Sequence, residues 1–302
     1  MTVGKPVSTR TIGILCLLLG AVLFSSKGVI IKLAYRYSVS SISLLGLRML
    51  FSLPLFLLVG YFRSGKRGER AEMTRADWAT IITLGTVGYY LASYTDFLGL
   101  QYLSAGMERV ILFSYPTLVL IIQYLVFGTR IRAVQGAATA LCYVGIFVAF
   151  SGSDLRAGSG FLTGAGLVFL SALLYASYII GSGRFAPRLG NVRFTSLALV
   201  SASVAVITHA LLSADPLLGL PVPVYAYAAV MAVFCTVIPS YLVTEGVKRL
   251  GAGDAAIVGA VGPLATVVLE YYFLGELLTP LQAIGGACIV AGVVIIGRSK
   301  GN

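Results

Sequence analysis

Charged residues are scarce in this sequence of 302 residues: they make up 11%, against about 25% in an average soluble protein. This scarcity excludes an ordinary soluble domain. The chain holds one histidine, His209, and no HExxH pair or acid-rich cluster, so only an enzyme centred on His209 stays open as a catalytic alternative. The four cysteines lie inside apolar runs, without disulfide or metal spacing: Cys16, Cys142, Cys235 and Cys288. We therefore predict no metal site, no cofactor and no catalytic residue.

Apolar residues are abundant, at 58% of the chain. They form long runs, each able to cross a hydrocarbon core of roughly 30 Å. Lipid admits only helices or closed barrels, and these runs are too long and unalternating for barrel strands. We predict an all-α integral membrane protein with ten transmembrane helices, at about 11–35, 39–61, 78–102, 105–127, 132–150, 160–182, 193–213, 223–247, 253–275 and 280–297.

The net charge of +11 comes from short connections between these runs. Lys and Arg concentrate in the N-terminal tail, the even-numbered connections and the C-terminus, which predicts that both termini are cytoplasmic. The excess of Lys and Arg is therefore explained by the orientation of the helices in the membrane, and no nucleic-acid partner is expected. The first run lacks a small-residue cleavage site, so we expect a retained helix rather than a signal peptide. Since the loops are short, function must lie within the helices.

A weak repeat relates the two halves of the chain. Shifting the sequence by 147 residues aligns Pro116 with Pro263, together with several glycines and tyrosines. This predicts two five-helix domains, 1–152 and 153–302. An odd number of helices inverts the second copy, and inverted repeats around a midplane site are typical of secondary transporters that work by alternating access.

Three stretches carry a family resemblance: QYLSAGMERVILFSYPTLVLIIQYLVFG, GAGDAAIVGAVGPLATVVLEYYFLGE and LGELLTPLQAIGGACIVAGVVIIG. They resemble the ten-helix EamA-type branch of the drug/metabolite transporter superfamily. The resemblance implies a multi-pass exporter of small metabolites in the bacterial inner (cytoplasmic) membrane, with amino acids, including aromatic and hydrophobic ones, as the expected substrates. It also implies a monomer or homodimer, in contact with membrane lipid, whose helices 1, 3, 4, 6, 8 and 9 surround a central cavity while helices 5 and 10 are peripheral.

Other functions remain open at this stage. They are a permease for another metabolite or a drug-like solute, a channel-like facilitator, and a regulatory or chaperone subunit. The chain also departs from the family pattern at one position, since Phe24 stands where relatives commonly have tryptophan in helix 1.

Polar and aromatic stripes at helical spacing are the predicted substrate-binding positions. Aromatic faces would hold a side chain, and hydroxyls with one or two charges would orient an amino or carboxylate group. The alternative is that the tyrosines form interfacial belts or packing contacts and that Glu245 pairs with Lys248 or Arg249. The candidates are Phe24, Tyr89, Tyr90, Ser93, Tyr94, Phe97, Tyr175, Ser177, Tyr178, Thr236, Ser240, Tyr241 and Glu245.

Charges inside the spans need a partner, water or a function. Five of these charges are predicted to share one layer near the outer side of the membrane: Lys27, Asp96, Glu108, Arg109 and Glu270. They would form an outer gate, or alternatively they would form structural ion pairs and snorkel to the outer interface. Arg48, near the midplane of helix 2, is expected to make a structural pair or a carbonyl contact. Three residues are hinge candidates, with a static kink as the alternative: Pro116, Gly262 and Pro263.

Overall fold

The computed structural model describes residues 9–63, 73–151, 160–213, 215–274 and 279–298, and within these ranges it contains helices and no strand. The α-helices are α1 (Thr9–Tyr35), α2 (Ser41–Arg63), α3 (Arg75–Gly85), α4 (Ala92–Tyr102), α5 (Ala105–Leu112), α6 (Tyr115–Phe127), α7 (Ala133–Phe150), α8 (Phe161–Leu189), α9 (Asn191–Leu212), α10 (Val222–Ala232), α11 (Ile238–Leu250), α12 (Ala252–Val258), α13 (Val261–Leu274) and α14 (Pro280–Arg298). Two π segments, Thr86–Leu91 and Val233–Val237, join α3 to α4 and α10 to α11.

Several of these helices can cross a membrane. By length and composition, seven spans qualify within the described residues: Thr9–Tyr35, Ser41–Phe62, Ala105–Phe127, Phe161–Leu189, Asn191–Leu212, Val222–Leu250 and Ala252–Leu269. Two shorter apolar helices, Ala133–Ala149 and Ala283–Arg298, accompany them. The prediction of an all-helical, multi-pass protein agrees with this architecture. The count of ten stays a prediction, because the continuous helical stretch 75–102 is not among the seven.

One helix is longer than predicted. The sixth span was expected at 160–182, but α8 continues to Leu189. Two arginines hold its last turns in place: the Arg184 guanidinium lies 3.4 Å from the ring centroid of Phe127, and Arg188 forms an ion pair with Asp77. The connection to α9 therefore shrinks to Gly190, whose positive φ of 84° suits glycine.

The spans that contain Pro116 and Pro263 are both broken rather than merely bent. α5 ends at Leu112, and α6 begins at Tyr115 with Pro116 in its first turn. In the second half, Gly259 follows α12, and Pro263 is the third residue of α13. Proline is tolerated in a first turn because the missing N–H would lack an intrahelical partner there. Each proline therefore starts a new helical segment, and hinge motion at these breaks stays a prediction.

Helices α7 and α14 pack together through small residues. A Cβ added at Gly145 would lie 2.6 Å from the Gly285 carbonyl oxygen, and one added at Gly292 would lie 2.6 Å from the Cys142 sulfur. Gly145 and Gly292 are themselves 147 positions apart, as are the starts of the two π segments. Elsewhere, α1 packs against α11 and α13, while α4 packs against α8. The contacts of α1 with α11 and α13 and of α4 with α8 border the space described next, which no described residue of α7 or α14 lines.

Candidate functional site

An internal cavity lies where α1, α4, α8 and α11 approach the two helix breaks. It contains about 850 Å³ of empty space, including its open end. The part of this space that admits the centre of a water-sized sphere is about 100 Å³, which is below the roughly 300–1,000 Å³ of typical small-molecule sites. Its wall is largely apolar, with polar and aromatic groups contributed by Phe24, Ser25, Lys27, Arg48, Tyr89, Ser93, Arg109, Tyr115, Ser171 and Tyr175.

A chain of neighbouring tyrosine rings borders one side of the cavity, with Tyr89, Tyr115 and Tyr175 on the wall and Tyr178 behind them. The centroid of Tyr175 lies 5.4 Å from that of Tyr115 and 6.2 Å from that of Tyr178, which in turn lies 5.5 Å from that of Tyr89. The Tyr115 hydroxyl donates to the Ala256 carbonyl at 3.1 Å, which joins the first helix break to the second. The helix breaks thus bring an aromatic surface to the cavity.

A buried ion network lies beside this aromatic surface. Lys27 Nζ lies 2.5 Å from Asp96 Oδ2, and Arg109 Nε lies 3.0 Å from Glu108 Oε2. Arg109 also donates from Nη2 to the Phe24 carbonyl at 3.1 Å. The Asp96 and Glu108 side chains are 1% and 0% exposed. The network therefore ties α1, α4 and α5 together, with Lys27 and Arg109 on the cavity wall and Asp96 and Glu108 behind it.

Arg48 stands apart from this network. It projects from α2, is 1% exposed and lines the cavity. Its guanidinium carbon lies 4.9 Å from the ring centroid of Phe97, while its Nε and Nη2 atoms have no hydrogen-bond partner among the described residues. The expected ion pair or carbonyl contact is therefore not found at these two nitrogens.

The sequence profile of the EamA-like transporter family matches residues 11–151 and 162–298. The chain belongs to the EamA-like transporter family. The family resemblance drawn from the sequence is thus confirmed, and a transporter of the EamA type is established as the class of protein.

Relatives of this EamA-like chain include the uncharacterized transporter YcbK of Bacillus subtilis, 31% identical, with 90% of this chain and 88% of that protein aligned. A probable terminal-alkyne amino-acid exporter of Streptantibioticus cattleyicolor is 30% identical, with 78% of each chain aligned. A solved crystal structure covers 94% of this chain and 95% of its own, at 17% identity and a TM-score of 0.73. At that identity, the last comparison shows the fold alone.

Some predicted site residues of this EamA-like protein lie on the cavity wall. Of the predicted substrate positions these are Phe24, Tyr89, Ser93 and Tyr175, and of the predicted charge layer and hinge they are Lys27, Arg109 and Gly262. The Tyr89 hydroxyl also lies 3.4 Å from Ser240 Oγ, so the stripes predicted on helices 3 and 8 meet. Four of the five layer charges come together, while the Glu270 side chain lies outside the described residues. Their roles in substrate binding or gating stay predictions.

Other predicted positions lie away from the wall of the EamA-like cavity. The Tyr90 hydroxyl lies 2.8 Å from His209 Nδ1, and the Tyr94 ring centroid lies 4.9 Å from that of His209, so both tyrosines face α9. The prediction treated residues 89–97 as one broad face. Each residue turns a helix by about 100°, so Tyr90 and Tyr94 lie one position round from Tyr89 and Ser93, which line the cavity, and present the neighbouring face to α9.

The remaining candidates pack behind the EamA-like cavity or bond within their own helices. Phe97 lies against Arg48, and Tyr178 lies behind Tyr175. Glu245 pairs with Arg249 at 2.6 Å, the alternative that the sequence left open. The four remaining candidates use their hydroxyl groups in hydrogen bonds: Tyr241 with Ser196, Ser240 with Tyr89, Ser177 with the Leu174 carbonyl and Thr236 with the Met231 carbonyl.

One cluster at the predicted cytoplasmic end was not foreseen from the sequence. Asp254, 3% exposed, forms ion pairs with Arg10 and Arg132 and accepts from Gln135 Nε2 at 2.9 Å. Arg10 also donates to the Ile296 carbonyl, so the cluster joins α1, α7, α12 and α14. The sequence feature that could have indicated this cluster is Asp254 itself, a single carboxylate in the first turn of the otherwise apolar helix α12.

Proposed function

We propose that this chain is a secondary transporter that exports amino acids, aromatic and hydrophobic ones included, by alternating access through the cavity. One observation carries the proposal: the charged groups on the described cavity wall are cations, Lys27, Arg48 and Arg109, and they lie beside tyrosine rings. Asp96 and Glu108 belong to the adjoining network rather than to the wall. A solute with a carboxylate and an apolar or aromatic side chain matches this surface.

The wall chemistry suits weak, reversible binding. Cationic side chains attract a carboxylate, and the faces of Tyr115 and Tyr175 can contact an aromatic ring or an ammonium group. Apolar groups such as Leu17 and Ile179 complete the wall and take the solute's side chain. The relative in Streptantibioticus cattleyicolor is named a probable amino-acid exporter, which supports the same substrate class for this chain.

Alternating access is supported by the construction of the bundle. Broken helices that meet at a midplane site recur in secondary transporters, and here the breaks before Pro116 and Pro263 adjoin one cavity. The profile of the family matches two stretches that agree with the proposed repeats, 1–152 and 153–302. We place the protein in a bacterial inner membrane with cytoplasmic termini, as a monomer or homodimer. The Asp254 cluster would then separate when the cavity opens inward.

Uptake of a labelled amino-acid panel into proteoliposomes tests this function. Saturable uptake of aromatic or hydrophobic members, with mutual competition, is the expected result. A parallel series with and without a pH gradient distinguishes proton coupling from facilitated flux. If no amino acid in the panel shows saturable uptake into vesicles that contain folded protein, the amino-acid assignment is wrong.

A further inference from the structure

The guanidinium of Arg48 is a buried cation whose hydrogen-bonding capacity is incompletely used. Arginine carries five N–H donors in a planar fork. In Arg48, Nε and Nη2 are both buried and have no hydrogen-bond partner among the described residues. Because nearly all buried polar groups are hydrogen-bonded, two such atoms on one cavity-lining side chain require an explanation.

The neighbouring charged residues do not supply the missing hydrogen bonds of Arg48. Asp96 attracts Arg48 electrostatically, but its Oδ2 atom is engaged by Lys27 at 2.5 Å, and its buried Oδ1 atom makes no hydrogen bond to Arg48 or to another described residue. Arg109 likewise has Glu108 as its partner at 3.0 Å. The charged groups on and beside the cavity wall thus comprise three cations, Lys27, Arg48 and Arg109, and two carboxylates, Asp96 and Glu108. Counting every group as ionised, one positive charge at the cavity lacks a counter-charge.

The surroundings of Arg48 also fix its position. The Phe97 ring, fully buried, lies 4.9 Å from the guanidinium carbon, a distance at which a cation–π contact holds the group. A charge inside a membrane protein is costly unless it is paired or functional, and a guanidinium fork matches a carboxylate in a two-point contact. The side chain is therefore pre-positioned and lacks only an anion.

We propose that Arg48 is the group that binds the carboxylate of the transported solute. This inference rests on the proposed function, and it names the residue that would make a free carboxylate necessary for recognition. Lys27 and Arg109 would contribute long-range attraction from their ion pairs, whereas Arg48 would make the direct contact. A purely structural Arg48, serving only as a packing partner of Phe97, would leave carboxylate recognition unaffected.

The first test uses the wild-type protein and two probes, L-phenylalanine and L-phenylalaninamide, which differ at the carboxyl group. Competition against labelled phenylalanine in proteoliposomes should show the amide to be weaker by roughly tenfold to a hundredfold, the expected cost of losing a charge-assisted contact. Equal competition by the acid and the amide would overturn the inference without affecting transport itself.

The second test compares Arg48→Met with Arg48→Lys. The methionine variant should lose phenylalanine binding by a similar factor and should no longer distinguish the acid from the amide. The lysine variant should retain the distinction in part, because it keeps the charge but not the fork. Arg36→Gln, which removes an exposed arginine after α1, is the matched control and should keep the wild-type ratio.

Thermal unfolding in detergent keeps the inference testable if a variant fails to transport. Removing an incompletely paired buried charge should leave the ligand-free melting temperature of Arg48→Met unchanged or raised. Phenylalanine should raise the melting temperature of the wild type but not that of the variant. Wild-type vesicles without saturable uptake of any amino acid in the panel would contradict the proposed function, whereas normal uptake with unchanged affinity in Arg48→Met would contradict this inference alone.

Discussion

Replacing Gly145 by alanine perturbs the contact between α7 and α14 at a defined point. The added Cβ would lie 2.6 Å from the Gly285 carbonyl oxygen and 2.9 Å from Ile289 Cγ1. Ordinary C···O contacts are about 3.3 Å or longer, so the helices must separate by roughly 0.7 Å. A gap of that size forfeits about a quarter to a half of each dispersion contact, and overpacking of this kind costs about 1–3 kcal/mol.

Gly136→Ala supplies the matched control in the same helix. A Cβ at Gly136 would have no neighbour within 4 Å, so this variant should gain about 0.5–1 kcal/mol from the reduced backbone entropy of the unfolded chain. Thermal unfolding in detergent should therefore place Gly145→Ala below Gly136→Ala. For a difference of about 2 kcal/mol, the gap is roughly 4–8 °C. Equal melting temperatures would refute the close packing of these helices.

Three further predictions concern the ion clusters and the helix breaks. Asp254→Asn should lower the melting temperature, because Arg10 and Arg132 lose their buried counter-charge; an unchanged value would show that the cluster adds no stability. Lys27→Met and Asp96→Asn should each destabilise by about 3–5 kcal/mol in unfolding experiments, and the double variant by much less than their sum; additive effects would argue against the pair. Pro263→Ala should slow transport if the second break moves, and an unchanged maximal rate would reject the hinge.

Much of the fold could be predicted because lipid permits few solutions. Apolar runs of sufficient length must be helical when no strand alternation is present. The position of Pro116 similarly predicted a local departure from the helix, and a break lies there. The sequence could not predict that α8 extends to Leu189, because the ion pair between Arg188 and Asp77 joins residues distant in the chain.

The site was less predictable for two physical reasons. Tyr90 and Tyr94 follow Tyr89 and Ser93 by one residue, a rotation of about 100° on a helix, and this is why they face α9 while Tyr89 and Ser93 line the cavity. In addition, the sequence could not locate α2 relative to the cavity. Arg48 was therefore expected to be structural, whereas its burial on the cavity wall depends on how α2 and α4 pack.

Counterflow across proteoliposomes tests the central claim, transport by alternating access through the cavity, most directly. Vesicles are preloaded with unlabelled phenylalanine, and the initial uptake of labelled phenylalanine is compared with that of empty vesicles. A single cavity that faces each side in turn predicts faster, saturable uptake into the preloaded vesicles, because the loaded carrier returns without waiting for an empty transition. Uptake that rises linearly with concentration and ignores the internal solute would contradict the account and favour a channel-like facilitator.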